Sequence, residues 1–203
     1  MSTTVSIGTG SAADFRQLRH QTKNALARIL AQLSAGLGVS DASRRVAAEL
    51  ERRILLTAQI SDALFGLTRA PERFDRRLAS LCEAVVELAS EPDQHIAVHC
   101  CVETEVPAAQ EDLLIRIAHE LVGNAVKHGM HMRLLGTVEV EVRRDAGAMV
   151  LEVIDDGWGC GRSPSCGEGL RVASLLAEDL AGRLTLERCG ERTVARLVLG
   201  AGQ

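Results

Sequence analysis

Apolar residues recur at helical spacing through the first third of the chain. Between about Ala12 and Ala35 they fall three and four residues apart and form one stripe, made of Phe15, Leu18, Thr22, Leu26, Ile29 and Leu33. The segment GLGVSD at 36–41 breaks the pattern, because its glycines can end one helix and its serine or aspartate can begin the next. The second helix extends to about Leu67, and its apolar stripe consists of Val46, Ala47, Leu50, Ile54, Ala58 and Phe65. The pattern therefore predicts two long antiparallel helices joined by a short turn.

Such a hairpin cannot hide its apolar stripes from water by itself. Pairing two copies into a four-helix bundle would bury both stripes, and packing on the rest of the chain could cover part of the same surface. The sequence therefore predicts a homodimer that forms through a helical hairpin over residues 1–70.

The pattern changes near Pro71, after which helical segments alternate with short strands. Helices are expected at Phe74–Leu88, Gln110–His128 and Leu170–Leu180. Strands are expected at His95–Val102, Thr137–Arg143, Met149–Ile154, Leu184–Glu187 and Val194–Leu199. The prediction is an α+β chain, in which the helical hairpin is followed by an α/β two-layer sandwich over residues 71–203.

Composition narrows the functional classes. Aromatic residues make up 2% of the chain and the net charge is −4, so neither base stacking nor a basic surface favours a nucleic-acid partner. No apolar run approaches the roughly 18 residues that span a bilayer, and the first residues lack the basic and apolar regions of a signal peptide. We expect a cytoplasmic protein that does not bind membranes.

The six cysteines are then expected to be reduced thiols. No two of them have the CxxC spacing common at zinc sites, although Cys100 and Cys101 lie near His95 and His99 in the sequence. We interpret the cysteines as small buried apolar side chains.

His20 is the first candidate for chemistry. It lies on the first predicted helix, roughly opposite the apolar stripe, and Asn24 follows one turn later on the same side. Near neutral pH an exposed imidazole is partly unprotonated and nucleophilic. Position alone favours an ordinary surface histidine, so its importance depends on the rest of the chain.

The segment HELVGNAVKHG at 119–129 is the second candidate. Helical spacing places Glu120, Asn124 and Lys127 on one side. An acid, an amide and an ammonium there could hold hydrated Mg²⁺ and neutralise phosphate oxygens. An ordinary solvated helix face explains the same pattern when it is taken alone.

Two glycine-containing motifs follow. In DDGWG at 155–159, Asp155 comes at a strand end and could accept a hydrogen bond from a purine amine, while Gly157 and Gly159 would let a ring approach the backbone. In GEGL at 167–170, Gly167 and Gly169 precede a helix, whose free backbone N–H groups could bind phosphate. Separately, these motifs are also explained as a common Asp-Gly turn and a plain helix start.

The order of these features resembles the core of the bacterial histidine kinases. RHQTKNAL at 19–26 is similar to the His-x-x-Lys-Asn phosphoacceptor motif of one subfamily, and AHELVGNAVKHG at 118–129 is similar to the HWE group. The Trp-x-Glu of that group is absent, since Trp158 lies inside the Asp-Gly motif, so the chain falls near both groups. The resemblance covers nearly all of the chain from Phe15 to Leu199.

The resemblance implies a dimerisation and phosphotransfer hairpin followed by an ATP-binding sandwich of the gyrase and heat-shock chaperone type. It implies that His20 accepts the γ-phosphoryl group of ATP, that Asn124 holds Mg²⁺ and that Glu120 acts as base or metal organiser. Lys127 or His128 would contact phosphates. The phosphoryl group would then pass to an aspartate on the receiver domain of a response regulator.

The same resemblance assigns the rest of the nucleotide site. Asp155 would bind the adenine amine in a pocket shaped by Gly157 and Gly159. Gly167 and Gly169 would let the chain fold over the triphosphate. Residues 160–166 would form a lid, and residues 69–74 a hinge between the two halves.

Two departures from the family pattern affect the expected activity. Gln21 follows His20 where many members carry an acid, and glutamine cannot accept a proton at neutral pH. Only 19 residues precede His20, so we expect no sensor domain in this chain, and a separate sensor protein or a relay would supply the signal.

Three alternatives remain open from the sequence. The first is a histidine phosphotransferase whose degenerate sandwich no longer binds ATP. The second is an anti-sigma-type serine kinase, which would leave the hairpin unexplained. The third is a dimeric scaffold without enzymatic activity, which would make the ordered motifs a coincidence.

Overall fold

The computed structural model describes residues 41–65, 73–158 and 168–200. The helices in these ranges are α1 (Asp41–Phe65), α2 (Phe74–Ala89), α3 (Ala108–Asn124), which continues into a π turn (Ala125–Gly129), and α4 (Glu168–Asp179). The strands are β1 (His95–Val102), β2 (Leu135–Asp145), β3 (Ala148–Asp155), β4 (Gly182–Cys189) and β5 (Arg192–Leu199).

The five strands form one mixed sheet in the order β1-β2-β3-β5-β4. β1 pairs with β2 in parallel, and the other neighbours are antiparallel. The V-E-V-E-V alternation of β2 sends Val138, Val140 and Val142 to one face, where they are fully buried, and leaves the glutamates between them on the other. The predicted sandwich, with helices on one face of a sheet, is therefore confirmed.

The core between the helices and the sheet contains almost only aliphatic side chains. Phe74 is the one aromatic residue buried in the described part of the chain. The outer face of the sheet carries a charged cluster: the buried Glu152 accepts hydrogen bonds from Arg143, at 3.0 Å, and from Arg196. These salt bridges link neighbouring strands on that face.

Most predicted elements are present, and the differences lie at their ends. The helix predicted over Gln110–His128 begins at Ala108 and becomes a π turn after Asn124. The strand predicted as Leu184–Glu187 is longer and spans Gly182–Cys189. These ends depend on tertiary pairing, which periodicity does not describe.

α1 is apolar on two opposite sides. Leu56, Ile60 and Ala63 are buried against the sandwich. At about 100° per residue, Phe65 points away from Leu56, and it is exposed, as are Val46 and Leu50. The stripe predicted from the sequence is this outward side; the side that packs on the sandwich was not predicted.

Polar contacts reinforce the packing of α1 on α2. Arg52 Nη1 donates to Glu87 Oε1 at 2.8 Å, and Gln59 Nε2 donates to Ser80 O at 3.1 Å. Near the end of α1, Arg77 Nε donates to the carbonyl oxygen of Ala63 at 2.6 Å. These contacts hold α1 along α2.

The cysteines only partly follow their interpretation as buried apolar residues. Cys82 is fully buried in the core, and Cys100 is half-buried at the edge of the sheet. Cys101 and Cys189 are exposed, so for these two the interpretation is wrong. Cys160 and Cys166 lie outside the described residues.

Several predicted features also fall outside the described residues: the first hairpin helix with His20, residues 36–40 of the turn, residues 69–72 of the hinge, and the lid with Gly159 and Gly167. Among the described helices, none combines the length and the apolar character needed to cross a bilayer.

Candidate functional site

A cavity of about 630 Å³ lies beside the second half of α3. Its polar wall comes from one side of that helix, its π turn and the first turn of α4, and its apolar wall from α1, α2 and α4. The lining residues are His119, Glu120, Gly123, Asn124, Lys127, His128, Gly169, Ile60, Val85, Leu88, Ala89 and Val172. The helical spacing of Glu120, Asn124 and Lys127 does bring them to one surface.

The π turn shapes the end of α3. The N–H of Met130 donates to the carbonyl oxygen of Ala125 at 3.0 Å, a five-residue step instead of the usual four. Ala125 and Val126 are buried by this turn, whereas Lys127 and His128 remain exposed at the cavity. Two side chains that can carry positive charge therefore stand next to Asn124, an arrangement suited to an anion.

Both oxygens of the Glu120 carboxylate have close neighbours. His119 Nδ1 lies 3.1 Å from Oε1. The backbone of Gly169 lies so near Oε2 that a Cβ on residue 169 would come within 2.6 Å of that atom, and within 3.4 Å of the Asn124 amide. The first turn of α4 thus packs on the Glu120–Asn124 side of α3, and only glycine fits there without displacing Glu120.

Asp155 lies at the end of β3, on the other side of the π turn. It is 5% exposed, and its Oδ1 accepts a hydrogen bond from Gly157 N at 3.0 Å. A Cβ on Gly129 would stand 2.5 Å from this oxygen, and a Cβ on Gly157 would stand 2.1 Å from the Gly129 carbonyl oxygen. Trp158 N also donates to that carbonyl, at 3.0 Å. The loop after β3 is therefore locked to the π turn by two glycines.

Burial raises the pKa of Asp155, while the Gly157 N–H and the Thr193 hydroxyl act in the opposite direction. Thr193 pairs with Asp155 across β3 and β5 and is itself 5% exposed. Its hydroxyl makes no hydrogen bond of good geometry within the described residues, although it lies close enough to affect the carboxyl group. A buried carboxyl acceptor with a hydroxyl beside it suits a ligand that offers both a donor and an acceptor.

The donor set fits a magnesium–phosphate group better than a metal held by protein alone. Asn124 supplies a hard oxygen ligand, and Mg²⁺ commonly takes one or two protein ligands and completes its shell with phosphate and water. Within the described ranges, no cluster of three His, Cys, Asp or Glu side chains is arranged to hold a metal ion. Lys127 and His128 add positive charge for phosphate oxygens.

The structure brings together five of the predicted site residues, Glu120, Asn124, Lys127, His128 and Gly169, at one cavity. Asp155 and Gly157 lie behind the π turn and do not line that cavity. His20, Gly159 and Gly167 are outside the described residues. The roles of all ten residues remain predictions.

Sequence reasoning missed three residues of the site: His119, Gly129 and Thr193. Thr193 had a usable signal, because it is the polar member of the inward-facing set of β5, which continues with Ala195, Leu197 and Leu199. Gly129 ends the quoted HELVGNAVKHG segment, but its contact with Asp155 depends on how two distant segments meet.

Solved structures with a similar fold include several histidine kinases. The histidine kinase domain of a blue-light activated kinase from Erythrobacter litoralis is 19% identical, with a TM-score of 0.57 over 87% of this chain and 95% of that one. A longer structure of that kinase is 18% identical, with a TM-score of 0.58 over 96% of this chain and 61% of that one. Histidine kinase AdeS from Acinetobacter baumannii is 13% identical, with a TM-score of 0.52 over 95% of this chain and 96% of that one.

No family model and no curated protein matches the sequence. The chain thus has the fold of the histidine kinases, and the predicted fold class is confirmed. The described residues supply the long helix α1 followed by the mixed α/β sandwich.

Proposed function

We propose that this protein is a dimeric histidine kinase that uses ATP and Mg²⁺ to phosphorylate His20 and then passes the phosphoryl group to an aspartate of a response regulator. One observation carries the proposal. Glu120, Asn124, Lys127, His128 and Gly169 surround a single cavity whose wall also includes Ile60 of the hairpin helix α1. Polar groups suited to a triphosphate thus lie directly beside α1.

The triphosphate would bind at the cavity. Asn124 would hold Mg²⁺ through its amide oxygen, and Lys127 and His128 would contact the phosphates. When bound, the metal ion would neutralise charge on the phosphate oxygens. Gly169 would place the start of α4 close to the same groups, where free backbone N–H groups favour an anion.

The adenine ring would bind at the loop after β3. The Asp155 carboxylate would accept a hydrogen bond from the exocyclic amine, and the hydroxyl of Thr193, which lacks a partner of good geometry within the described residues, would serve the neighbouring ring nitrogen. Gly157 and Gly129 would keep this pocket close to the π turn. The base and the phosphates would then lie on opposite sides of that turn.

His20 would reach the cavity through the geometry of the hairpin. If the turn is centred near Gly38, His20 and Leu56 each lie about 18 residues from it, and antiparallel helices place such residues side by side. Ile60, which lines the cavity, is one helical turn beyond Leu56. The acceptor is therefore expected at the level of the cavity along the hairpin.

The side chains would take part in only two steps, the attack by His20 and the transfer of its proton. A nitrogen of the His20 imidazole would attack the γ-phosphorus, the bond from that phosphorus to the bridging oxygen would break, and ADP would leave. The proton of the attacking imidazole would pass to the Glu120 carboxylate, because Gln21 cannot accept it. Most of the rate would come from positioning and charge neutralisation.

Dimerisation would use the outward side of α1. Val46, Leu50 and Phe65 are exposed in the described chain although they are large and apolar. A first hairpin helix and a second copy of the hairpin would cover them, as four-helix bundles cover such stripes.

The decisive experiment incubates the purified protein with γ-labelled ATP and Mg²⁺. We expect label on the wild type that is lost on acid treatment, as phosphohistidine is, and no label on His20→Ala or Asn124→Ala. Label that persists on His20→Ala would overturn the acceptor assignment. Acid-stable label would favour a serine kinase.

A histidine phosphotransferase is the second candidate, and one observation favours it. Asp155 is almost completely buried and does not line the cavity, so the described residues do not form one continuous cleft from adenine site to phosphate site. Binding of labelled ATP decides between the two. A wild type that binds no adenine nucleotide but accepts phosphate from a phosphorylated receiver domain would be a phosphotransferase.

A further inference from the structure

His119 and Glu120 are sequence neighbours on α3, and their side chains nevertheless meet. Adjacent residues on a helix point about 100° apart and do not normally face each other. Here Nδ1 of His119 lies 3.1 Å from Oε1 of Glu120, and both side chains are roughly one-third exposed at the cavity. The imidazole is therefore turned toward the carboxylate rather than straight into solvent.

The direction of this hydrogen bond follows from the chemistry of the partners. An ionised carboxylate can only accept, so Nδ1 must carry the proton and donate. The other oxygen of Glu120, Oε2, is confined by the backbone of Gly169 at the start of α4. Oε1 accepts the hydrogen bond from His119, and Oε2 has no room to move past the Gly169 backbone. The carboxylate therefore has a fixed orientation.

We propose that His119 is a positioning residue, which orients Glu120 through its Nδ1–H group so that the carboxylate can receive the proton of the attacking imidazole. This rests on the proposed function, in which Glu120 is the base. A glutamate has three rotatable side-chain bonds, so a carboxylate that nothing holds at this partly exposed site would spend most of its time elsewhere. His119 itself exchanges no proton with the substrate.

Three substitutions of His119 separate this role from a general structural one. The amide nitrogen of asparagine occupies nearly the position of Nδ1, whereas that of glutamine lies nearer the position of Nε2. His119→Asn should therefore keep a phosphorylation rate within about threefold of wild type. His119→Gln and His119→Leu should lower kcat by about 10- to 100-fold, with KM for ATP changed less than about twofold.

A matched control lies one turn earlier on the same helix. Arg116 is exposed and does not line the cavity. Arg116→Leu replaces a polar side chain with leucine, as His119→Leu does, and should leave kcat unchanged. In a Glu120→Gln background, His119→Leu should cause no further loss, because the group that it orients is already gone. An additive loss there would contradict the positioning role.

A second readout does not depend on activity. Long-range ¹H–¹⁵N NMR of the His119 ring, at a pH where the ring is neutral, should show the proton on Nδ1 in the wild type. In Glu120→Leu the proton should move to Nε2, the site preferred by an unpaired imidazole. Nδ1 without a proton in the wild type would overturn the inference by itself.

The two hypotheses fail in different ways. If the wild type does not phosphorylate His20, the proposed function fails, and this inference fails with it whatever the NMR result. If the wild type is active and His119→Leu has an unchanged kcat, only the inference about His119 is wrong.

Discussion

Gly129 and Asp155 are in direct contact, with so little space between them that a Cβ on residue 129 would stand 2.5 Å from Asp155 Oδ1. The same oxygen accepts the N–H of Gly157, whose own missing side chain makes room for the Gly129 carbonyl. Two glycines from segments far apart in the chain therefore fix the carboxylate that is proposed to bind adenine.

Gly129→Ala should disturb that carboxylate. The added methyl group must displace Asp155 or the π turn, so we expect about 1–3 kcal/mol less stability and an ATP affinity about tenfold lower or worse. Thermal unfolding and calorimetric titration with ATP measure the two effects. Gly123→Ala is the control for stability, since its Cβ would meet Val85 at 4.0 Å and should add roughly 0.5–1 kcal/mol inside a helix. An equal loss of stability in the two variants would contradict this account.

Gly169→Ala should lower the phosphorylation rate while the stability of the fold changes little. Its Cβ would meet the tip of the Glu120 side chain at 2.6 Å, and a flexible tip can move aside at little cost. We expect a stability change within about 1 kcal/mol but a phosphorylation rate about 10- to 100-fold lower, because Glu120 loses its orientation. An unchanged rate would mean that the contact between α4 and Glu120 has no role in the reaction.

The pH dependence of nucleotide binding should reflect the burial of Asp155. Burial raises its pKa, and the protonated carboxyl group is a poorer acceptor for the adenine amine. ATP affinity should therefore fall as the pH is lowered, beginning above the range of an ordinary aspartate, about 3.9. Titration of the fluorescence of Trp158, the single tryptophan, three residues from Asp155, follows binding at each pH. An affinity that is flat down to pH 4 would contradict the assignment.

Asp155→Asn gives the complementary result for stability. A pKa that is raised in the folded state means that the folded protein binds this proton more tightly than the unfolded chain. The resulting stabilisation is full below the unfolded pKa and is lost as the pH rises through the folded pKa. Asp155→Asn, which stays uncharged, should therefore gain stability relative to wild type as the pH rises through that interval, while it binds ATP more weakly. Urea unfolding at several pH values measures the difference.

The parts of the site that the sequence predicted are those that a single helix determines. The spacing of Glu120, Asn124 and Lys127 suffices to place them together, because helical geometry is local. Thr193 reaches Asp155 only through the pairing of β3 with β5, and no pattern within either strand fixes that register. Contacts of this kind are invisible to reasoning from periodicity.

The same limit explains the incomplete prediction for α1. Its outward stripe contains large residues such as Leu50 and Phe65 and was easily recognised. The side that packs on the sandwich alternates Leu56 and Ile60 with Arg52 and Gln59, whose polar ends bond to α2. Long polar side chains can cover apolar surface while their ends find partners, so this side looks solvated in the sequence.

Arg77 should matter for the attachment of α1. Its side chain is 12% exposed, and it donates to the carbonyl of Ala63 at 2.6 Å and contacts Asp112 at 2.7 Å. Arg77→Ala should cost about 1–3 kcal/mol, mainly because a buried carbonyl loses its donor. Arg73→Ala is the control, since that side chain is 79% exposed in its pair with Asp75 and should cost less than about 0.5 kcal/mol. Similar melting temperatures for both variants would show that Arg77 does not fix the helix.

The outward side of α1 should control the oligomeric state. Val46 is 61% exposed and Leu50 42% exposed, and they lie one helical turn apart on the side that faces away from the sandwich. If a second copy covers them, Val46→Lys with Leu50→Lys should raise the dimer dissociation constant by on the order of 100-fold or more, since burying each side chain contributes about 1.5–3 kcal/mol. Sedimentation over a range of concentrations measures this constant. Leu55→Lys is the matched control, because Leu55 is also exposed but lies about 140° around the helix from Leu50. If the double variant has the same dimer dissociation constant as Leu55→Lys, the dimer interface lies elsewhere. The exposed stripe on α1 would then no longer be evidence for the interface.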